Sequence, residues 1–232
     1  MEHPYLFLVK ILEATHNETL IHFAHANVHV LYSWLVILFL IITGSIATKN
    51  IGIVPTKMQN LFEVIISGLE DFMVDLTGEE GRWFFPLIAT IFIYIFVCNV
   101  MGLIPGFFPP TASVWTNSAC AIVVFVFTHY IGIKYHGAKY YKHFMGPVWW
   151  LSPLIFIIEI IGHLARVLSL TMRLYGNMFG HEQVLIVLFG IGGAFFVPLP
   201  IMAMGIFVSL VQAFVFFMLS IMYFSGSMEH AH

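Results

Sequence analysis

The chain has 232 residues, of which 60% are hydrophobic and only 9% charged, and its formal net charge is -3. A soluble domain carries about 25% charged residues, so these values exclude a soluble globular protein and define an integral membrane protein. The slight negative balance leaves no basic surface for nucleic acid.

Residues 1–27 are polar, rich in histidine, and basic only at Lys10. They lack the basic start and short apolar core of a cleavable signal, so the first apolar run is expected to be retained. That run, residues 28–47, has membrane-spanning length. A polar break at 48–57 follows. Residues 58–75 alternate apolar and acidic side chains at helical spacing, with Glu63, Glu70 and Asp71 opposite Leu61, Ile65, Leu69 and Phe72. This pattern predicts an amphipathic helix lying at the interface or against a partner. Gly78-Glu-Glu-Gly81 ends it.

The second span is expected over 83–104, stopping at Pro105-Gly106. A proline-rich loop with Thr111, Ser113 and Asn117 leads into a third span over 117–134. The loop 134–146 holds three lysines, three tyrosines and two histidines. From Pro147 the pattern is apolar and helical. Its main stretch, 153–189, is 37 residues, about 55 Å as a single helix at about 1.5 Å per residue. The hydrocarbon core is only about 30 Å thick, and no turn divides the segment, so one strongly tilted helix is expected. Gly190-Ile-Gly-Gly193 and Pro198-Leu-Pro200 read as a turn before a last apolar run, 201–224.

The expected fold is therefore an all-α integral membrane protein of about five crossings, in one membrane domain over 1–232. Within it, 1–27 form an N-terminal segment, 28–146 three spans and their loops, and 147–232 a long helical hairpin. Lys49, Lys57, Arg82, Lys134, Lys139 and Lys142 lie in breaks on one side, against Lys10 on the other. By the positive-inside rule the N-terminus is outside and the C-terminus cytoplasmic.

The long segment carries Glu159, Arg166, Arg173 and Glu182. The first three are seven apart, and each step of seven drifts only about 20°, so they share a face. Glu182 is nine residues past Arg173, about 900° on, and so falls on the opposite face. Glu159 and Glu182 stand about 35 Å apart along the axis with Arg173 between them. That spacing suits two separate acidic sites divided by one fixed charge, because ion pairs on a helix use spacings of three or four. A guanidinium is permanently protonated: it attracts a carboxylate but passes no proton. The plain alternative is an arginine paired statically with a neighbouring helix. Asn177 and Gln212 read equally as interhelical hydrogen-bonding residues or as the lining of a water path.

Cys98 and Cys120 sit inside apolar runs and form no metal or haem motif, which makes them packing residues. His22, His25 and His29 share one helical face, which suits a wetted surface more than a zinc site. His129, His136 and His143 are seven apart and are expected near the interface. No cofactor or metal is expected.

Residues 169–182, Ser-Leu-Thr-Met-Arg-Leu-Tyr-Gly-Asn-Met-Phe-Gly-His-Glu, resemble the signature of subunit a of F-type ATP synthases. Phe84-Phe-Pro-Leu-Ile-Ala-Thr90 and Asn99-Val-Met-Gly-Leu-Ile-Pro105 resemble the family's second span. Glu159 matches a family acidic position, and Leu210-Val-Gln-Ala-Phe214 its last helix. The resemblance implies a stationary, non-catalytic subunit in a bacterial inner membrane. Its two long tilted helices would pack against a ring of c subunits, with a b-subunit peripheral stalk and the remaining synthase subunits as further partners. It implies that Arg173 is the stator charge for the ring carboxylates. Asn177, Glu182 and Gln212 would belong to an outer half-channel, and Glu159 with Ser169 to an inner one. Where some members carry a histidine in the last helix, this chain has Gly205. His181 then either supplies the titratable group of the outer channel or points elsewhere.

Two rivals stand beside this reading. A haem-b subunit would use His129 and His163, but a second histidine pair is missing. A secondary transporter would show internal repeats, and none is evident. No P-loop occurs, so the chain is not expected to hydrolyse ATP itself.

Overall fold

The computed structural model describes residues 8, 18–49, 55–104, 106–137, 152–192 and 199–228. Every regular element among them is helical: α1 (Glu18–Ala26), α2 (Val28–Thr48), α3 (Lys57–Thr77), α4 (Phe85–Met101), α5 (Val114–His136), α6 (Ser152–Gly192) and α7 (Leu199–Met228). Four of these, α2, α5, α6 and α7, are long and apolar enough to cross a membrane. The 17 residues of α4 are apolar but rise only about 26 Å, the lower limit for a span.

Local chemistry sets several boundaries. Thr56 caps α3, its hydroxyl accepting from the Gln59 amide at 3.3 Å. Gly78 ends α3 at φ 72°, a conformation that a residue with a Cβ adopts at a cost. The expected second span is shortened at both ends. Its helix starts beside Pro86, a proline in the first turn, and stops at Gly102, against which Pro109 folds back. A Cβ at Gly102 would lie 2.6 Å from the Pro109 ring, so only glycine allows that approach. The third span begins three residues earlier than the sequence suggests, at Val114.

The long segment is one unbroken helix. The 41 residues of α6 rise about 60 Å, twice the hydrocarbon thickness, and continue through Gly190 to Gly192. Of the turn expected before α7, residues 193–198 lie outside the described residues, as do Lys10, Lys139, Lys142 and His143.

The core lies where α4, α5 and α7 meet. Phe84, Phe92, Phe217 and Phe224 are buried there with Ile88, Ile95 and Ile221, the aromatic rings packed edge to face. Leu170 and Leu174 of α6 close this core from one side. A smaller cluster joins α2 to α4 through Tyr32, Val36, Cys98 and Met101. Cys98 and Cys120 are free thiols inside the packing. On α3 only Leu69 and Met73 are buried, while Leu61, Val64 and Ile65 stay exposed beside the acidic residues. The outward faces of α2 and α6 are apolar, with Trp34, Leu38 and Ile41 on α2 and Ile158, Ile161 and Leu168 on α6. Such continuous apolar exposure suits lipid or partner helices.

Candidate functional site

Each polar side chain on α6 has its surroundings set by which face it occupies. Leu170, Leu174, Met178 and Leu185 recur at spacings of four and seven and turn into the bundle. Arg173 lies next to that stripe and is exposed. Among the described residues no carboxylate stands within ion-pair distance of it. Arg166, one face-repeat earlier, is also exposed, but its guanidinium lies 5.4 Å over the Tyr223 ring of α7. Ser169 is exposed one turn before Arg173. It stands about 15 Å along the axis from Glu159 and so is a neighbour of the arginine rather than of the glutamate.

Glu159 is half-buried toward one end of α6, with Oε1 3.4 Å from His163 Nε2. Glu182 is half-buried beyond Arg173 in the other direction. The expected order along the helix, acid, arginine, acid, therefore holds on a single continuous axis.

Where α6 crosses α7, two sequence-selected amides meet. Asn177 Nδ2 donates to Gln212 Oε1 at 2.7 Å, and Gln212 is buried. One turn along, the His181 imidazole lies against Gly205 of α7: a Cβ there would be 2.5 Å from Nε2. Nε2 is buried and has no hydrogen-bond partner. Ser209, one turn from Gly205 on the same buried face, also has an unpartnered hydroxyl. Asn177, His181, Gly205, Ser209 and Gln212 thus form one polar seam between two apolar helices. Ser209 was not singled out by sequence. Its signal is the spacing of four and three among Gly205, Ser209 and Gln212 in an otherwise apolar run.

A second polar group missed by sequence lies where α4, α5 and the turn Pro110–Ala112 meet. Thr111 Oγ1 donates to Asn99 Oδ1 at 2.7 Å, and Asn117 Nδ2 donates to the Thr111 carbonyl at 2.7 Å. All three are buried. The two histidines of the haem alternative do come together, His129 against His163, with ring centroids 4.9 Å apart. Two imidazoles binding one haem iron from opposite sides place their centroids about 6 Å apart, so no haem fits between these rings. His22 and His25 lie on α1 and His29 on α2, across the break at Asn27. Among the described residues no cluster of three metal-ligating side chains occurs.

The class these features define is a polytopic helical membrane protein whose longest helix carries, between two acidic residues, an arginine with no ion-pair partner among the described residues, and a polar seam against its last helix. The family is shown by likeness. The ATP synthase A chain family matches residues 30–225, and the chain belongs to that family, whose members are the proton-translocating subunits of the synthase membrane sector. It is 71% identical to ATP synthase subunit a of Desulfosudis oleivorans, over the whole of both chains. It is 54% identical to that of Syntrophobacter fumaroxidans and 53% to that of Geobacter sulfurreducens, again over the full length of each.

Proposed function

We propose that Arg173 is the fixed charge around which the subunit moves protons, and that Glu159 and Glu182 mark two half-channels ending at different depths. The observation that carries this reading is the exposed Arg173 with no carboxylate partner among the described residues, on an outward apolar face. An unpaired intramembrane charge is costly and persists where a partner arrives from outside. A ring of c subunits, each presenting one carboxylate, supplies that partner. The ring carboxylate crosses lipid neutral, because burying its charge costs several kcal/mol, roughly. Beside Arg173 it loses its proton, and it regains one before moving on. A proton falling through ~100 mV releases about 2.3 kcal/mol to drive that cycle.

The polar seam of Asn177, His181, Ser209 and Gln212 serves the half-channel of Glu182. Its unpartnered buried atoms, His181 Nε2 and Ser209 Oγ, are groups a water file satisfies. Glu159 serves the other half-channel. Ser169 stands at the junction beside Arg173. The chain itself binds no nucleotide in this reading and works with the c-ring, the b-subunit peripheral stalk and the remaining subunits. The bacterial inner membrane holds it with the N-terminus outside and the C-terminus cytoplasmic. Arg82 and Lys134 support that orientation: they flank Trp83 at one end of the bundle, Lys134 Nζ lying 3.5 Å over its ring.

The test compares wild type with Arg173→Ala in vesicles holding the complete complex. ATP-driven pumping should stop while the assembled membrane sector still conducts protons passively. Pumping that survives in an assembled variant reduces Arg173 to a packing charge.

A further inference from the structure

Glu159 stands at one corner of a cluster of titratable side chains to which the half-channel reading assigns no role. His163, one turn along α6, brings Nε2 to 3.4 Å from Glu159 Oε1, with only 11% of the imidazole side chain exposed against 33% of the glutamate's. Across the contact with α5, the His129 ring lies 4.9 Å from that of His163, the planes inclined by 53°. Phe125 stands edge-on to both imidazoles, at 4.4 and 6.0 Å. Among the described residues, the charged and titratable groups around His163 are Glu159 and Arg166 on its own helix, His129 on α5 and Tyr223 on α7. A crevice lined by His163, Thr128, Arg166 and Tyr223 opens beside them.

A carboxylate and an imidazole in contact pass one proton between them, nitrogen donating and oxygen accepting. We propose that His163, backed by His129, forms with Glu159 a proton-storing cluster that loads and unloads the half-channel at neutral and alkaline pH. The inference rests on the reading that Glu159 lies in a half-channel. In the loaded cluster His163 is an imidazolium against the Glu159 carboxylate. The Nε2–H bond breaks as an Oε1–H bond forms, leaving a neutral imidazole with its proton on Nδ1 and a neutral carboxylic acid. Glu159 gives that proton to the water path and returns to carboxylate. Nε2 then takes a proton from water at the open end of the path, and the hydroxide left there is neutralised by the bulk buffer. His129 and Arg166 disfavour a second positive charge, so the imidazole pair holds one transferable proton at a time.

The experiment measures ATP-driven pumping by the complete complex in vesicles as bulk pH is varied, for wild type, His163→Gln, His129→Gln and Glu159→Gln. His163→Gln should pump close to the wild-type rate near pH 6 and fall about tenfold by about pH 8. Imidazole added to the medium should restore part of that loss, which a packing defect does not allow. His129→Gln should show a smaller loss in the same direction. If Glu159→Gln stops pumping while His163→Gln follows the wild-type profile, the cluster is wrong and the half-channel stands. If Glu159→Gln pumps normally, the half-channel reading falls and the cluster with it. Should His163→Gln fail to assemble, His129→Gln decides, since it keeps the Glu159–His163 pair: alkaline-selective loss supports the cluster, and an unchanged profile overturns it.

Discussion

The imidazole of His181 occupies the space that a side chain at Gly205 would fill, with Nε2 2.5 Å from the position of that missing Cβ. Two consecutive helices therefore share one volume, and the size of one residue sets the room left for the other.

Gly205→Ala tests that sharing directly. Alanine favours a helix over glycine by about 1 kcal/mol, but forcing a methyl into a filled site costs about 1–3 kcal/mol. The variant complex should melt below wild type, and adding His181→Ala should recover part of the loss, the rest remaining because Leu103 Cδ2 stands equally close, at 2.5 Å. A Gly205→Ala complex as stable as wild type would show that the imidazole does not sit there.

Arg173→Lys keeps a positive charge but replaces a group that is never deprotonated with one whose proton affinity drops when desolvated. Pumping should fall nearly as far as in Arg173→Ala. Near-normal pumping by the lysine variant would mean that charge alone suffices and that permanent protonation is irrelevant.

The Asn177–Gln212 hydrogen bond holds the α6–α7 crossing. A double-mutant cycle with Asn177→Ala and Gln212→Ala, read from the thermal stability of the detergent-solubilised complex, should give a coupling of about 0.6 kcal/mol, the usual size inside membranes. Additive losses would place the two amides out of contact.

Thr111→Val removes the hydroxyl donor to Asn99 and keeps the shape. Asn99 already has an unpartnered buried Nδ2, so the change leaves its whole amide unsatisfied. A loss of about 1–3 kcal/mol is expected in the same melting assay. An unchanged melting temperature would indicate that water replaces the hydroxyl.

The helices were legible because apolar length and periodicity report them directly. The single helix α6 followed from the missing turn across 153–189. The span of α4 was overestimated because Trp83 and Leu103 continue the apolar run after the backbone has left the helix, so hydropathy cannot see its ends. On the site, one helix face was readable: the seven-residue spacing of Glu159, Arg166 and Arg173 needs only helix geometry. Contacts between helices were not. His129 meeting His163 and His181 filling the place of Gly205 depend on how α5, α6 and α7 cross, which no spacing within one helix encodes. Spacing along one helix also bears on Ser169. It lies near Glu159 in sequence, yet ten helical residues rise about 15 Å.

A rod of about 60 Å confined to a slab 30–45 Å thick lies as a ramp, roughly 45–60° from upright. Moving along it from Glu159 to Glu182 therefore travels some 25–30 Å sideways as well as across, roughly. Under the proposed two-half-channel reading, the mouths of the path then open above different patches of membrane, and no straight vertical line joins them. A proton admitted at one mouth reaches the other only after lateral carriage. The electrochemical gradient decides which mouth is the source, and the left or right slope of the ramp, a matter of chirality, then sets the sense of the lateral carriage.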